Sequence, residues 1–206
     1  MKYVLYFLLA VAVVSAVAGG IHLYRVSVRN KKEMAQYEGA AVALTKKFPK
    51  TLVVYYSLTG NTKQIAQIIQ KKTGADIYEI KTVEDMGGKE NPMMHLRIRD
   101  QLKSGKYPEL AGEMPDFSKY EMIFVGAPVW WYTIATPGLS FLEKADFGGK
   151  AVVPFSTQGS NYGTFFEDFA KKAKNARLLK SESFNNLSKE YDAAVDNKIT
   201  EWLNSL

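Results

Sequence analysis

The stretch Thr51-Leu52-Val53-Val54-Tyr55-Tyr56-Ser57-Leu58-Thr59-Gly60-Asn61-Thr62 decides the architecture. Leu52 to Tyr56 is an unbroken apolar and β-branched run. Such a run suits a strand covered on both faces, as in a parallel sheet. Ser57 to Thr62 is short, polar and rich in hydroxyls. Ile65, Ala66, Ile68 and Ile69 then recur at helical spacing, so a helix opens at about Gly60 to Thr62. A helix start offers free backbone N–H groups and the positive end of a dipole, and both attract an anion. Ser57, Thr59 and Thr62 can add hydroxyl donors, and Gly60 permits close approach. Lys63 is the first basic residue, so an anion here would rest on neutral donors, which suits a stably bound phosphate monoester. The loop lacks the Gly-Lys-Ser/Thr ending of a P-loop and the G-x-G-x-x-G dinucleotide pattern. Plain capping of the helix by Ser or Thr is the competing reading.

Upstream, Tyr3 to Tyr24 contains no charged residue. About 20 apolar residues span a bilayer as a helix, and Tyr3, Tyr6 and Tyr24 sit where interfacial aromatics belong. Two readings fit residues 1–24. One is an uncleaved transmembrane anchor. The other is a secretory signal cleaved near Ala18, after Ala16-Val17-Ala18. Arg25, Arg29, Lys31 and Lys32 follow the run and favour an anchor with the domain on the cytoplasmic side. Residues 25–50 read as a charged connector. Met34, Tyr37, Ala40, Ala41 and Leu44 are spaced for a weakly amphipathic helix that lifts residues 51–206 off the bilayer, and Phe48-Pro49-Lys50 ends it.

The chain holds 206 residues and no cysteine, which excludes disulfides, thiol catalysis and iron–sulfur or zinc-thiolate centres. The net charge of +6 is concentrated early: Lys2 and the four residues from Arg25 to Lys32 are five of the 27 basic residues, leaving 22 against 21 acidic ones. The body carries no electrostatic case for nucleic acid.

Downstream, a helix over about Asn61 to Lys72 stops at Thr73-Gly74. Asp76 to Ile80 is a second strand. A longer insertion, Lys81 to Ser118, holds a Met86-Gly87-Gly88 turn and a charged helix near Met94 to Lys103. His95 lacks metal partners and reads as packing or helix surface. Glu121 to Gly126 is a buried strand that runs into Ala127-Pro128-Val129-Trp130-Trp131-Tyr132. Pro137 opens a helix. Ala151 to Phe155 is a fourth strand, ending in Ser156-Thr157-Gln158-Gly159-Ser160-Asn161-Tyr162-Gly163. A helix over about Thr164 to Lys174 follows, then a short last strand, Arg177 to Lys180. The closing helix runs from about Lys189 to Leu206 with Tyr191, Val195, Ile199, Trp202 and Leu203 as its packing stripe. Asn186-Leu187-Ser188 is formally a glycosylation sequon.

Strands alternating with helices give a doubly wound parallel sheet with right-handed crossovers. Ligands bind such sheets at the carboxyl ends of the strands. Three of those ends are chemically unusual: the hydroxyl loop, the aromatic Pro128 to Tyr132, and the glycine loop Thr157 to Gly163. Together they suit a phosphorylated, planar, conjugated ligand.

The residues from Lys50 to Leu206 resemble the flavodoxin family. The resemblance rests on Ser57-x-Thr59-Gly60-Asn61-Thr62, on Gly-Ala-Pro-Val-Trp-Trp at 126–131 and on Pro-Phe-Ser-Thr-Gln-Gly-Ser at 154–160. The last two are similar to a bacterial branch with a Pro-Val-Trp-Trp motif. It implies an α/β fold with a five-stranded parallel sheet in the order 2-1-3-4-5, helices on both faces, and an added N-terminal hydrophobic helix. It also implies flavin mononucleotide (FMN) as cofactor. By position, Ser57, Leu58, Thr59, Gly60, Asn61 and Thr62 would hold the phosphate. Pro128, Val129, Trp130, Trp131 and Tyr132 would flank the isoalloxazine, and Thr157, Gly159, Ser160 and Gly163 would approach its pyrimidine edge. No Ser-His-Asp set or paired carboxylates can be placed at this edge, so the chemistry would belong to the flavin. Three functions stay open: a membrane-tethered FMN electron carrier, an FMN-dependent NAD(P)H:quinone oxidoreductase, and a non-catalytic interaction module. The partners expected are the membrane, through residues 3–24, and a redox protein or quinone.

Overall fold

The computed structural model describes residues 2–87 and 92–206; Gly88 of the expected turn lies outside the described residues. In chain order the elements are α1 (Lys2–Met34), β1 (Thr51–Tyr55), α2 (Asn61–Thr73), β2 (Asp76–Glu79), β3 (Lys81–Thr82), α3 (Pro92–Ser104), β4 (Leu110–Ala111), β5 (Met122–Trp130), β6 (Thr133–Ile134), α4 (Thr136–Lys144), β7 (Ala151–Gln158), α5 (Phe165–Lys172), β8 (Arg177–Leu178), β9 (Glu182–Asn185) and α6 (Asp192–Ser205).

β1, read as buried on both faces, is buried at every position. It pairs in parallel with β2 on one side and β5 on the other; β5 pairs with β7, and β7 with β8 and β9. The order β2-β1-β5-β7-β8/β9 is the expected 2-1-3-4-5 doubly wound sheet. Alternate residues feed two cores, as the period-two geometry of strands requires. Leu52, Val54, Ile123, Val125 and Val152 face the side of α3, α4 and α5. Val53, Tyr55, Phe124, Val153 and Phe155 face α2 and α6, where Ile65, Ile69, Ile199, Trp202 and Leu203 meet them.

Two expectations are corrected. The last strand is not Arg177 to Lys180 alone: β8 pairs with Ala151 and Val152, and the parallel pairing resumes in β9 against Phe155 to Gln158. Nor does a separate helix form over Met34 to Leu44. α1 runs on through Met34, and the chain after it is a non-helical strap laid along α6. Two asparagines of α6 replace the hydrogen bonds a helix would have made. Asn197 donates to the carbonyls of Tyr37 and Ala40 and accepts from Val42 N–H; Asn204 donates to Ala43 O and accepts from Thr45 N–H. Met34 is buried in the second core, with Tyr37, Leu44 and Phe48 packed against it. Part of the stretch read as a spacer therefore packs against α6.

α1 is the one helix among the described residues long and apolar enough to cross a membrane, with a mean hydropathy of 2.4 over its most apolar window.

Candidate functional site

The anion loop is built by the turn from β1 into α2. Gly60 is the N-cap residue, with φ 98°, a left-handed conformation that glycine adopts without strain. No side chain caps α2. The first backbone bond into the helix is Gln64 N–H to Gly60 O at 2.9 Å, so the amides before it have no helical partner. The hydroxyls brace the loop without being used up. Ser57 Oγ accepts from Gly60 N–H at 3.1 Å, and Thr59 Oγ1 accepts from Asn61 Nδ2 at 3.1 Å, which leaves both hydroxyl hydrogens available. Thr62 is buried, its Oγ1 2.7 Å from Oγ1 of Thr157, tying the loop to the end of β7. Plain side-chain capping, the competing reading of this loop, is not what the structure shows.

Ser57, Leu58, Thr59, Asn61 and Thr62 form one wall of a cavity of about 250 Å³; Pro128, Val129, Trp130, Thr157, Gln158, Gly159 and Asn186 form the other. No acidic side chain lines it, so nothing opposes an anion. A second cavity of about 310 Å³ shares Val129, Trp130, Gln158 and Gly159 with the first and adds Trp131, Tyr132, Ser160 and Asn161, with Met94, His95 and Ile98 of α3. The two make one elongated cleft with neutral donors at one end and aromatic side chains at the other. That shape and donor set fit a phosphate monoester carrying a flat conjugated ring.

The three aromatic residues differ in role. Trp130 is buried and meets Tyr56 edge-on, ring centroids 5.6 Å apart. Burial pushes the Tyr56 phenol well up, Asp85 adds to this and Arg97 works against it, so Tyr56 stays neutral beneath the cleft. Trp131 and Tyr132 are exposed. They form the tip of a two-residue hairpin between β5 and β6, with φ of 51° and 63°. Such turns normally use Asn-Gly or Gly. Bulky residues there cost about 1–3 kcal/mol each, and such strain persists only where the surroundings enforce it.

The enforcement is visible. Thr164 N–H donates to Tyr132 O at 2.7 Å, and Asp168 Oδ2 accepts from Thr133 at 2.7 Å and from Thr164 at 2.6 Å. Gly163, at φ 54°, lies so close that a Cβ would stand 2.1 Å from Tyr132 O. Gly163 thus props the hairpin and lines neither cavity. Gly60 also lines neither; it shapes the loop. The other residues expected at the site all line the cleft. Sequence reading missed Gln158, Asn161, Asn186, Met94, His95 and Ile98 as lining residues. Asn186, legible only as a sequon, reaches the cleft because its N–H pairs with Gln158 O at 2.7 Å.

Burial disfavours the charged form of Asp168, but the bonds from Thr133 and Thr164 and the nearby Lys171 outweigh it, holding the carboxyl below its ordinary value. A depressed folded-state pKa contributes stability that is present above the unfolded value, about pH 4, and is lost as pH falls through the folded value. Acidification below about pH 4 should therefore loosen the hairpin and release a bound flavin. Asp168→Asn should weaken flavin binding already at neutral pH and lack that acid limb. Recovery of flavin fluorescence against pH, compared between the two proteins, checks this.

The flavodoxin family model matches residues 50–206. Flavodoxin 1 of Escherichia coli K12 is 28% identical over 123 residues, 57% of this chain and 55% of that protein. The flavodoxin of Haemophilus influenzae is 30% identical over 119 residues, covering 55% and 53%. The chain spans about half the length of these relatives. Among solved structures, the flavoprotein of Lactobacillus acidophilus in complex with FMN superposes with a TM-score of 0.60 at 25% identity, covering 66% of this chain and 93% of that one. The apo-form of the L. acidophilus flavoprotein gives 0.53 at 26% identity, covering 73% and 98%. With a family match running unbroken from the strand before the anion loop to the closing helix, this chain belongs to the flavodoxin family.

Proposed function

We propose that this protein is an FMN-binding electron carrier held at a membrane by α1. The observation that carries the reading is the uncapped start of α2, opening into a cleft that continues to the aromatic hairpin. The FMN-complexed neighbour and the Pro-Val-Trp-Trp motif of the bacterial branch support it. FMN supplies reversible one- and two-electron chemistry; the chain supplies seat and surroundings. The phosphate would rest on the α2 amides and on the hydroxyls of Ser57, Thr59 and Thr62. Val129, Trp130 and the Gly159-Ser160 segment would confine the ring, and Trp131 and Tyr132 would shield one end from water. No acidic side chain lines the cleft, and the residues around it offer polar contact without a fixed charge. The tether rests on the length and hydropathy of α1 and on the basic residues after Tyr24.

A visible absorbance spectrum of the purified chain, before and after FMN, is the direct test. A flavin spectrum that survives desalting supports the reading, and a colourless protein that takes up no FMN overturns it. Thr59→Val with Thr62→Val removes two donors. At about 1.5 kcal/mol per bond to a charged group, flavin affinity should fall by roughly 100-fold. Unchanged affinity would show that the phosphate lies elsewhere.

One observation favours a second reading, an NAD(P)H:quinone oxidoreductase: α3 of the insertion walls the aromatic end of the cleft with Met94, His95 and Ile98. Rapid bleaching of the flavin by NAD(P)H alone would select it over the carrier.

A further inference from the structure

α1 is joined to the domain without a flexible tether. Through Arg25 it is exposed; from Val26 onward one face is covered, with Val26 and Glu33 half-buried and Asn30 and Met34 buried. These positions share one side of the helix. Asn30 Oδ1 accepts from Asn185 Nδ2 at 2.9 Å, and Glu33 accepts from Lys198 at 2.6 Å and from Asn185 at 3.3 Å. Asn185 ends β9 and pairs with Gln158, which ends β7 and lines both cavities. Gln158 Nε2 in turn donates to Asn185 Oδ1 at 3.3 Å. α1 thus docks at the carboxyl edge of the sheet, where the cleft opens.

The path of the strap fixes which way α1 points. After Met34 the chain follows α6, held first by Asn197 and then by Asn204, and arrives at Lys50, whose carbonyl accepts from Glu121 at the opposite edge of the sheet. The chain from Asn30 onward therefore runs away from the cleft edge, and the apolar part of α1 projects beyond it. Only about 9 Å of helix separates Asn30 from Tyr24, the end of the uncharged run. The exposed aromatics lie at this same edge: Trp131 is 51% exposed, Tyr132 64% and Tyr162 45%. Trp and Tyr are the side chains that favour the membrane–water interface. Arg25, Arg29, Lys31 and Lys32 lie in the part of α1 nearest that interface, where cations attract anionic headgroups.

We infer that the carboxyl edge of the sheet rests on the bilayer surface, with Trp131, Tyr132 and Tyr162 among the lipid headgroups of the membrane that residues 3–24 enter. The inference rests on the tethered reading above and deepens it. The cleft then opens toward lipid, and electrons enter it from a donor, and leave it to an acceptor, at the membrane surface and not through a soluble protein docked on Trp131.

The test uses the full chain in nanodiscs of phosphatidylcholine and phosphatidylglycerol, with and without headgroup spin-labelled lipid, before and after loading with FMN. All three tryptophans lie outside the apolar run, and Trp130 and Trp202 are buried, so a headgroup quencher reports on Trp131. Labelled lipid should remove the Trp131 share of the emission, and Trp131→Phe should abolish that loss. Equal emission in labelled and unlabelled discs, with the anchor intact by mass and flavin bound, would overturn the orientation and leave the tethered carrier standing, its edge free for a soluble partner. Quenching in a chain that retains no flavin would keep the orientation and sink the carrier. A chain recovered without its apolar segment would overturn the tether and the orientation together.

Discussion

Gly126→Ala should lower the melting temperature by about 6–12 °C. Gly126 sits in β5 between Tyr55 of β1 and Phe155 of β7. A Cβ there would lie 2.0 Å from Cζ of Phe155 and 2.2 Å from its Cε2. The Phe155 ring cannot yield cheaply: it is fully buried and packs against Trp202, which also touches Phe124 and Phe184. Overpacking a closed core costs about 3 kcal/mol at the upper end of the usual range, and each kcal/mol moves the midpoint of a domain this size by about 2–4 °C. Gly138→Ala is the control. Its Cβ would meet the Ile134 Cγ2 methyl at 2.9 Å, and alanine's better helix propensity returns about 1 kcal/mol. Thermal unfolding followed by circular dichroism separates the two. An unchanged midpoint for Gly126→Ala would mean that Phe155 has another place to go.

Lys198→Met should destabilise the domain by about 3 kcal/mol. Lys198 lies in α6, is only 4% exposed, and binds Glu33 at 2.6 Å, Glu182 at 3.3 Å and the Ser183 carbonyl at 2.6 Å. Its ammonium also lies over the Phe184 ring, 5.1 Å from the centroid. Methionine keeps the stem and removes the charge, leaving two carboxylates facing each other with no cation between them. The loss falls on one contact in particular, the attachment of α1 and the strap to the sheet. Removing a carboxylate as well, in Lys198→Met with Glu33→Gln, should recover part of the loss, because the pair is coupled. The melting temperatures of the two single variants and the double variant check this; strict additivity would show that the ion pair contributes nothing.

The parts of the fold legible in the sequence were those whose signal is local. The run Leu52 to Tyr56, the hydroxyl loop and the Ile65–Ile69 stripe are neighbours in the chain and in space, and their reading as strand, turn and helix stands in the structure. Contacts spanning the chain were not legible. Met34, Tyr37, Ala40, Ala41 and Leu44 have helical spacing, yet Asn197 and Asn204 offer that backbone hydrogen bonds from some 155 to 161 residues away and win. The aromatic hairpin was hidden for another reason. Trp131-Tyr132 carries none of the usual turn chemistry, and only the props at Gly163, Thr164 and Asp168 explain how such residues hold positive φ. At the site, the resemblance places Gly60 and Gly163 at the cofactor, and the structure shows what each backbone does there: Gly60 opens α2 in a left-handed conformation and Gly163 lies close against Tyr132.

The strap also dictates an order of events in biosynthesis. Glu33 and Lys198 are separated by 165 residues, Tyr37 and Asn197 by 160, Ala43 and Asn204 by 161. A ribosome adds about 5–20 residues per second, so the early partner waits about 8–30 s for the late one. During that interval Met34, Tyr37 and Phe48 have no complete core to enter. The second core therefore closes only once α6 has emerged, and under the proposed anchoring α1 would enter the membrane before the domain behind it folds.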